Sequence, residues 1–281
     1  MTLDQLITGF VYLITVVVLL ILGRLAHQLF HRGIDTRAEL VDKDNLAYAL
    51  SVAGYYIGLI MAIGGIMSGP AMYWLDDVIA IMQYGLLAIV LLNISVIIND
   101  KLILSTFDNR KEIFEDRNAG TGIIEAANYL AVGMTLSGAL SGVGGGFDTA
   151  LAFWALGQVG LIVGARIYNL ILPFNVHAEV EKDNVAVGVA FAGVLFALGN
   201  IMRIATEGDF VSWQENVSEF AIFVAIGYVL IPVLRFVTDK ILLPGRRLTD
   251  ELVNQDVPNI GAGVIEASSY VIASFIIGWI F

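Results

Sequence analysis

The chain has 281 residues, of which 58% are hydrophobic and 15% are charged, and its mean hydropathy is +0.81. This composition lies outside the range of soluble proteins and indicates an integral membrane protein. The net charge of -11 is compatible with that class, and the absence of cysteine excludes disulfides, thiolate metal sites and cysteine nucleophiles.

Eight apolar stretches are long enough to cross about 30 Å of hydrocarbon as helices. They lack the two-residue alternation of a membrane β-barrel, and they occupy most of the chain. The predicted spans are residues 6–29, 46–67, 78–99, 119–141, 149–171, 185–205, 218–238 and 259–281. The sequence therefore predicts an all-α integral membrane protein with eight transmembrane helices.

Basic residues indicate how these helices are oriented. The first, third, fifth and seventh connections contain or are flanked by 14 of the 15 Lys and Arg residues, and only Arg203 lies near the other side. Because basic loops stay in the cytoplasm, we expect both termini on the periplasmic or extracellular side. Arg203 could line an outer vestibule there, but a pair with Glu207 or Asp209 is the expectation, because both acids lie within a short reach.

The second half of the chain repeats the polar residues of the first half. Lys43-Asp44-Asn45 returns as Lys182-Asp183-Asn184, Asp100-Lys101 returns as Asp239-Lys240, and Asn118-Ala-Gly-Thr-Gly-Ile-Ile-Glu125 returns as Asn259-Ile-Gly-Ala-Gly-Val-Ile-Glu266. Retained order and spacing indicate a duplication, with one four-helix unit at 1–142 and another at 143–281. An even number of helices makes the units parallel, so we expect a pseudo-twofold axis along the membrane normal.

The repeated signatures Lys-Asp-Asn-x-Ala and Asn-x-Gly-x-Gly-x-x-Glu-Ala-x-x-Tyr, completed by Tyr129 and Tyr270, resemble a known family. It is the bacterial membrane family called domain of unknown function 350, and the resemblance covers both halves. It implies a bacterial inner-membrane protein built from this four-helix module. The family brings no established activity and no catalytic residues.

Glu125 and Glu266 are the candidate site residues, because a carboxylate within a membrane helix is costly. Each lies seven residues into its helix, about 10 Å from the helix start. They could bind an ion or exchange a proton, or form buried pairs with basic residues that fix helix register. The predicted supporting polar shell consists of Arg24, Asp44, Asn45, Asp100, Lys101, Asn118, Arg166, Asp183, Asn184, Arg235, Asp239, Lys240 and Asn259. A pair between Arg235 and Asp239 is also expected from their spacing.

Other site classes have less support. The Asn-x-Gly-x-Gly segments lack the preceding strand of a nucleotide site, whereas Asn118 and Asn259 suit helix N-caps. His27 and His31 have a metal-binding spacing without further ligands, so we interpret them as interfacial histidines and expect no metal site. The chain lacks the common hydrolase and ATPase motifs, and we expect neither enzymatic activity nor a cofactor.

Two functions remain open. The first is ion, proton or small-solute transport, or a channel-like activity, through the duplicated glutamates. The alternative is a non-transporting scaffold or stress-response component that acts through the charged loops 100–118 and 239–258. We expect the lipid bilayer to surround the protein, and homo-oligomer formation is compatible with the sequence. A nucleic-acid partner is not expected, and the sequence indicates no particular protein partner.

Overall fold

The computed structural model describes residues 2–69 and 73–281, which form helices and connections without a β-strand. Eight of these helices have 21 or more residues, and each contains most of a predicted span. They are α1 (Leu3–Phe30), α2 (Leu46–Ser68), α3 (Trp74–Ile98), α4 (Ala119–Ala139), α5 (Phe147–Ile171), α6 (Val185–Thr206), α7 (Trp213–Val237) and α8 (Ile260–Ile280).

Seven of the helices within the described ranges are long and apolar enough to cross a membrane. The remaining long helix, α4, is long enough but less apolar, because it carries Glu125, Asn128 and several glycines. The all-α membrane fold with two tandem repeats is confirmed. The count of eight crossings stays a prediction.

The helices form two rows. The even row contains α2, α4, α6 and α8, and each packs against the next in that order. The odd row contains α1, α3, α5 and α7 in the same order. Helix α3 contacts both α2 and α4, α5 contacts α4 and α6, and α7 contacts α6 and α8, so each of these odd helices lies over a groove between two even helices.

Small residues allow the even helices to approach backbone to backbone. A Cβ atom added to Gly54 would lie 2.4 Å from the Cα of Ala126, and one added to Gly65 would lie 2.2 Å from the carbonyl oxygen of Ser137. Both contact positions advance in the same direction along the two helices, so α2 and α4 are parallel. Close approach of this kind provides van der Waals packing, which helps to drive helix association in lipid, where apolar burial gives no driving force.

The predicted pseudo-twofold axis is wrong. The two repeats meet where α4 packs against α6, and a twofold axis would pack α8 against α2 in the same way. Instead, α2 and α8 lie at opposite ends of the even row. Within each row, the second repeat is therefore displaced from the first by two helix positions. The contact between the repeats joins the α4 face of the first to the α6 face of the second, which are different faces of the repeated unit.

An asparagine begins each even helix. Their side-chain oxygens accept N–H groups three residues later, at 3.1 Å for Asn45, 3.0 Å for Asn118, 3.1 Å for Asn184 and 3.2 Å for Asn259. The predicted N-caps at Asn118 and Asn259 are thus present, and satisfying an exposed N–H stabilises the helix start.

The same four side chains also bind neighbouring elements, in what we call the asparagine ladder. Their amide nitrogens donate to Glu39, Glu112, Glu179 and Glu251, at 2.9, 2.8, 3.3 and 2.9 Å. The first three also donate to a carbonyl before the next even helix: Asn45 to Ile113 at 2.8 Å, Asn118 to Val180 at 2.6 Å and Asn184 to Leu252 at 2.8 Å. The ladder marks the end of the molecule that carries most Lys and Arg residues, hereafter the basic end.

Candidate functional site

The glutamate of the second repeat lies in a closed hydrogen-bond network. Glu266 is fully buried, and its Oε2 atom lies 2.6 Å from Nη1 of Arg235 on α7. Its Oε1 atom accepts from the hydroxyls of Tyr168 at 3.0 Å and Tyr270 at 3.1 Å. Arg235 also donates to Thr249 at 3.2 Å. Every charge in this network has a partner, which a buried ion pair requires.

The glutamate of the first repeat has a different environment. Glu125 is buried and accepts a hydrogen bond from Ser51 on α2. Within residues 2–69 and 73–281, no Lys or Arg forms a salt bridge with it. The carboxylate therefore lacks the basic partner that neutralises Glu266.

Unpartnered polar atoms occur one turn beyond Glu125 on α4 and on a side chain of α1 that packs there. The hydroxyl of Tyr129, Nε2 of His27 and both side-chain amide atoms of Asn128 are buried without a hydrogen-bond partner. Tyr129 follows Glu125 by one helical turn, and His27 packs beside it with ring centroids 6.3 Å apart. Buried polar groups in native proteins are normally satisfied, so this concentration points to a site that binds water or a ligand.

Equivalent positions explain the difference between the repeats. Val96 stands where the second repeat has Arg235, and Ser51 stands where it has Ala190. Asn99 and the unpartnered Asn128 occupy the places of Thr238 and Ser269, whose hydroxyls bond to each other at 2.9 Å.

The histidine of α1 also has a counterpart. His27 contacts Tyr129 as Tyr168 contacts Tyr270, with centroids 6.3 and 6.2 Å apart, so the tyrosine that bonds Glu266 replaces a histidine. In the second repeat, the polar groups at the equivalent positions therefore form hydrogen bonds with one another.

A second carboxylate lies close to the Glu125 site. Asp100, in the π-helical turn Asn99–Ile103 after α3, lies within electrostatic range of Glu125 and His31. Its Oδ1 atom accepts from the side-chain amide of Asn109 at 2.7 Å. Two carboxylates, hydroxyls and amides together form an oxygen-rich cluster, which suits a proton or a hard cation.

Few of the other residues predicted to support the glutamates contact them. Arg235 contacts Glu266 directly. Arg24, Lys101 and Arg166 are exposed and bind neither glutamate, and Asp44 and Asp183 lie in left-handed turns before helix starts. Asn45, Asn118, Asn184 and Asn259 belong to the ladder, while Asp239 bonds Lys240 at 2.8 Å and the N–H of Leu248 at 2.7 Å. The expected pair between Arg235 and Asp239 is not formed, because Glu266 binds the guanidinium.

The histidine interpretation also needs correction. His27 is 3% exposed and stacks on His31 at 4.2 Å between ring centroids, so it belongs to the protein interior rather than the membrane interface. No cluster of three metal-ligating side chains occurs in the described part of the chain. Arg203 pairs with Glu207, as expected, and its Nε atom donates to Asn200 at 3.1 Å.

The sequence analysis assigned no site role to Ser51, to the ladder glutamates or to Tyr129, although Tyr129 belongs to the repeated signature. Tyr129 is recognisable because Tyr270 repeats its spacing from the glutamate. Ser51 leaves no such signal, because Ala190 replaces it. The ladder glutamates precede their asparagines by five to eight residues, and this variable spacing hides the pattern.

Comparisons with known proteins agree with this architecture. The family model described as Domain of Unknown Function (DUF350) matches residues 1–140 and 142–281. A UPF0719 transmembrane protein from Aquifex aeolicus (strain VF5) is 24% identical over 257 residues, which are 88% of this chain and 90% of that protein. No solved structure is found to match. The chain is thus a multi-pass membrane protein with two tandem copies of the DUF350 domain, and it belongs to that family.

Proposed function

We propose that the protein transports protons or monovalent cations and that Glu125 is the residue that binds them. The observation that carries this proposal is a buried carboxylate without a basic partner, one helical turn from the unpartnered polar atoms of Asn128 and Tyr129. An isolated charge in a low-dielectric interior is strongly unfavourable, so the carboxylate must be neutralised by a proton or by a bound cation. The protonated and the cation-bound carboxylate can each release the bound proton or cation and take up another.

The two glutamates have different roles in this proposal. Glu125, with Ser51 and Asp100, supplies exchangeable oxygen ligands. Glu266 is already neutralised by Arg235 and holds α7 against α8. Duplication thus produced one binding site and one structural ion pair. The chain carries no enzymatic activity in this proposal.

The site's depth follows from the orientation that we propose. The basic end faces the cytoplasm of a bacterial inner membrane, and both termini face the periplasm or the exterior. Glu125 then lies about 10 Å inside the cytoplasmic ends of the even helices. A proton or cation entering from the cytoplasm reaches it past Asp100, at the end of α3.

Flux measurements in proteoliposomes test the proposal. With a pH-sensitive or cation-sensitive dye enclosed, we expect Glu125→Gln to lower flux at least tenfold, because the amide keeps the shape and removes the charge. Ser51→Ala is expected to lower it less. Unchanged flux in folded Glu125→Gln protein would refute the proposal. Empty liposomes and Glu207→Gln, a change near the opposite end of the molecule, serve as controls.

The scaffold remains the second candidate, and the closed Glu266 network favours it. Arg235 and Glu266 satisfy each other, as structural residues should. In addition, a cavity of about 250 Å³ far from the basic end is lined by Tyr12, Asp77 and Tyr84 and not by a glutamate. A scaffold predicts no flux from wild-type protein and loss of cellular function when the loops at 100–118 and 239–258 are altered.

A further inference from the structure

The asparagine ladder is open at its last position. Asn45, Asn118 and Asn184 are buried, and each donates to a carbonyl of the next element. Asn259 is exposed, and among the described residues its side-chain amide donates only to Glu251. Its position on the free face of α8 leaves one amide hydrogen available to a further element.

The other end of the ladder offers the matching acceptor. Each accepting carbonyl belongs to the residue directly after a ladder glutamate: Ile113 follows Glu112, Val180 follows Glu179 and Leu252 follows Glu251. The corresponding carbonyl before α2 is that of Leu40, which follows Glu39. Among the residues that the structure describes, no helix of the even row precedes α2 to supply a donor.

A glycine at the same end of α8 also lacks a neighbour. In the first repeat, Gly122 contacts Ala47 of α2, whereas Gly120 faces α6, where a Cβ added to Gly188 would lie 2.6 Å from the Cα of Gly120. In the second repeat, Gly263 contacts Ala186 of α6. Gly261 stands at the position of Gly120, and a Cβ added there would meet no atom of another helix.

We propose that a second copy of the chain completes both features. Helix α8 of one copy packs against α2 of the next, with Asn259 donating to the Leu40 carbonyl and Gly261 contacting Ala49, the position equivalent to Gly188. This contact continues the α4–α6 interface already present inside the chain. Because it joins two different faces, copies associate head to tail. The inference is independent of the proposed transport function.

Side-chain size limits this contact to the basic end. Ile60 and Ile272 occupy the positions of Gly199 and Ala131, which touch between α4 and α6. Two isoleucines keep the far halves of α2 and α8 further apart than two small residues do. We therefore expect an association weaker than the internal interface, and dependent on protein density in the membrane.

Paired glycine variants test the interface. Gly261→Leu places bulk in the proposed contact, whereas Gly9→Leu adds the same side chain to α1, where an added Cβ would also meet nothing within 4 Å. In lipid vesicles at a high protein-to-lipid ratio, single-molecule photobleaching should show oligomers for wild type and Gly9→Leu, and monomers for Gly261→Leu. Equal thermal unfolding of the variants excludes misfolding. Monomeric wild type, or unchanged association of Gly261→Leu, would overturn the proposal.

Cross-linking tests the direction of assembly, since the natural chain has no cysteine. Val41→Cys and Val257→Cys place exposed thiols beside Leu40 and Asn259. A bismaleimide should join these two single variants when they are mixed and should join neither to itself. Self-linking of Val257→Cys at the same yield would indicate a symmetric contact and overturn the head-to-tail arrangement. The double variant Asp116→Cys/Glu181→Cys is the internal control, because both carboxylates lie near Glu112.

Discussion

At the scale of single residues, neighbours decide what a repeated glutamate does. Glu125 and Glu266 occupy equivalent places, and both were predictable from the repeated motif. The partner at position 235 was one of several basic residues that the sequence offered. Only the packing of α7 against α8 selects Arg235, because Arg24 and Arg166 are exposed instead.

Removal of Arg235 should therefore be costly. Arg235→Met leaves Glu266 buried without a counter-charge, and we expect a loss of about 3–5 kcal/mol in the free energy of unfolding. The double variant Arg235→Met/Glu266→Met should recover most of that loss, since it removes both charges. Arg203→Met breaks a partly exposed pair and should cost at most about 1 kcal/mol. Chemical unfolding in detergent measures all three, and a loss no larger for Arg235→Met than for Arg203→Met would contradict the expectation.

Two ladder glutamates should respond oppositely to pH. Burial raises the pKa of Glu39, but hydrogen bonds from Asn45 and Lys43 outweigh it and leave that pKa lowered. Its stabilising contribution is present above the unfolded-state pKa and is lost as pH falls through the folded-state value. Burial raises the pKa of Glu112, and the hydrogen bond from Asn118 only partly offsets that rise. Ionised Glu112 thus destabilises the fold at pH values above its folded-state pKa.

Neutral variants make this difference measurable. At pH 7, Glu39→Gln should lower the unfolding temperature and Glu112→Gln should raise it, because each removes the charge and keeps an acceptor for asparagine. Both differences from wild type should shrink as the pH falls and the wild-type carboxylates become protonated. Changes of the same sign for both variants at pH 7 would contradict the assigned directions.

At the scale of helices, the asparagines have one role that sequence predicts and one that it hides. Asparagine before an apolar run indicates an N-cap, and the structure confirms that role for Asn118 and Asn259. The bridge to the next element depends on which helix lies alongside. No local pattern contains that information, since Asn118 and Val180 are 62 residues apart.

The bridge can be isolated by comparing two caps. Asn184→Ala removes an N-cap, a bond to Glu179 and the bridge to Leu252, whereas Asn259→Ala removes the equivalent cap and the bond to Glu251 alone. We expect Asn184→Ala to cost about 1–3 kcal/mol more, because it leaves a buried carbonyl without its donor. Unfolding of dilute protein in detergent gives the comparison without intermolecular contacts. Equal losses would show that the bridge contributes nothing.

At the scale of the whole molecule, the sequence predicts parallel repeats but does not predict which faces meet. The even number of helices in each unit determines direction only. The rows arise because α4 carries small residues on two faces, with Gly122 toward α2 and Gly120 toward α6. Both glycines belong to the repeated motif, yet their opposite directions become visible only when the helix neighbours are known.

Distances between spin labels distinguish a row from a twofold arrangement. Neighbouring helices lie about 9 Å apart, so α2 and α6 should be separated by about 18 Å and α2 and α8 by about 27 Å. Labels on Asp44→Cys/Glu181→Cys and Asp44→Cys/Val257→Cys report these two spacings at exposed sites. With excess unlabelled protein to suppress intermolecular pairs, pulsed electron resonance should give the longer distance for the pair at 44 and 257. The opposite order would bring α8 back beside α2, as a twofold axis requires, and would reject the row.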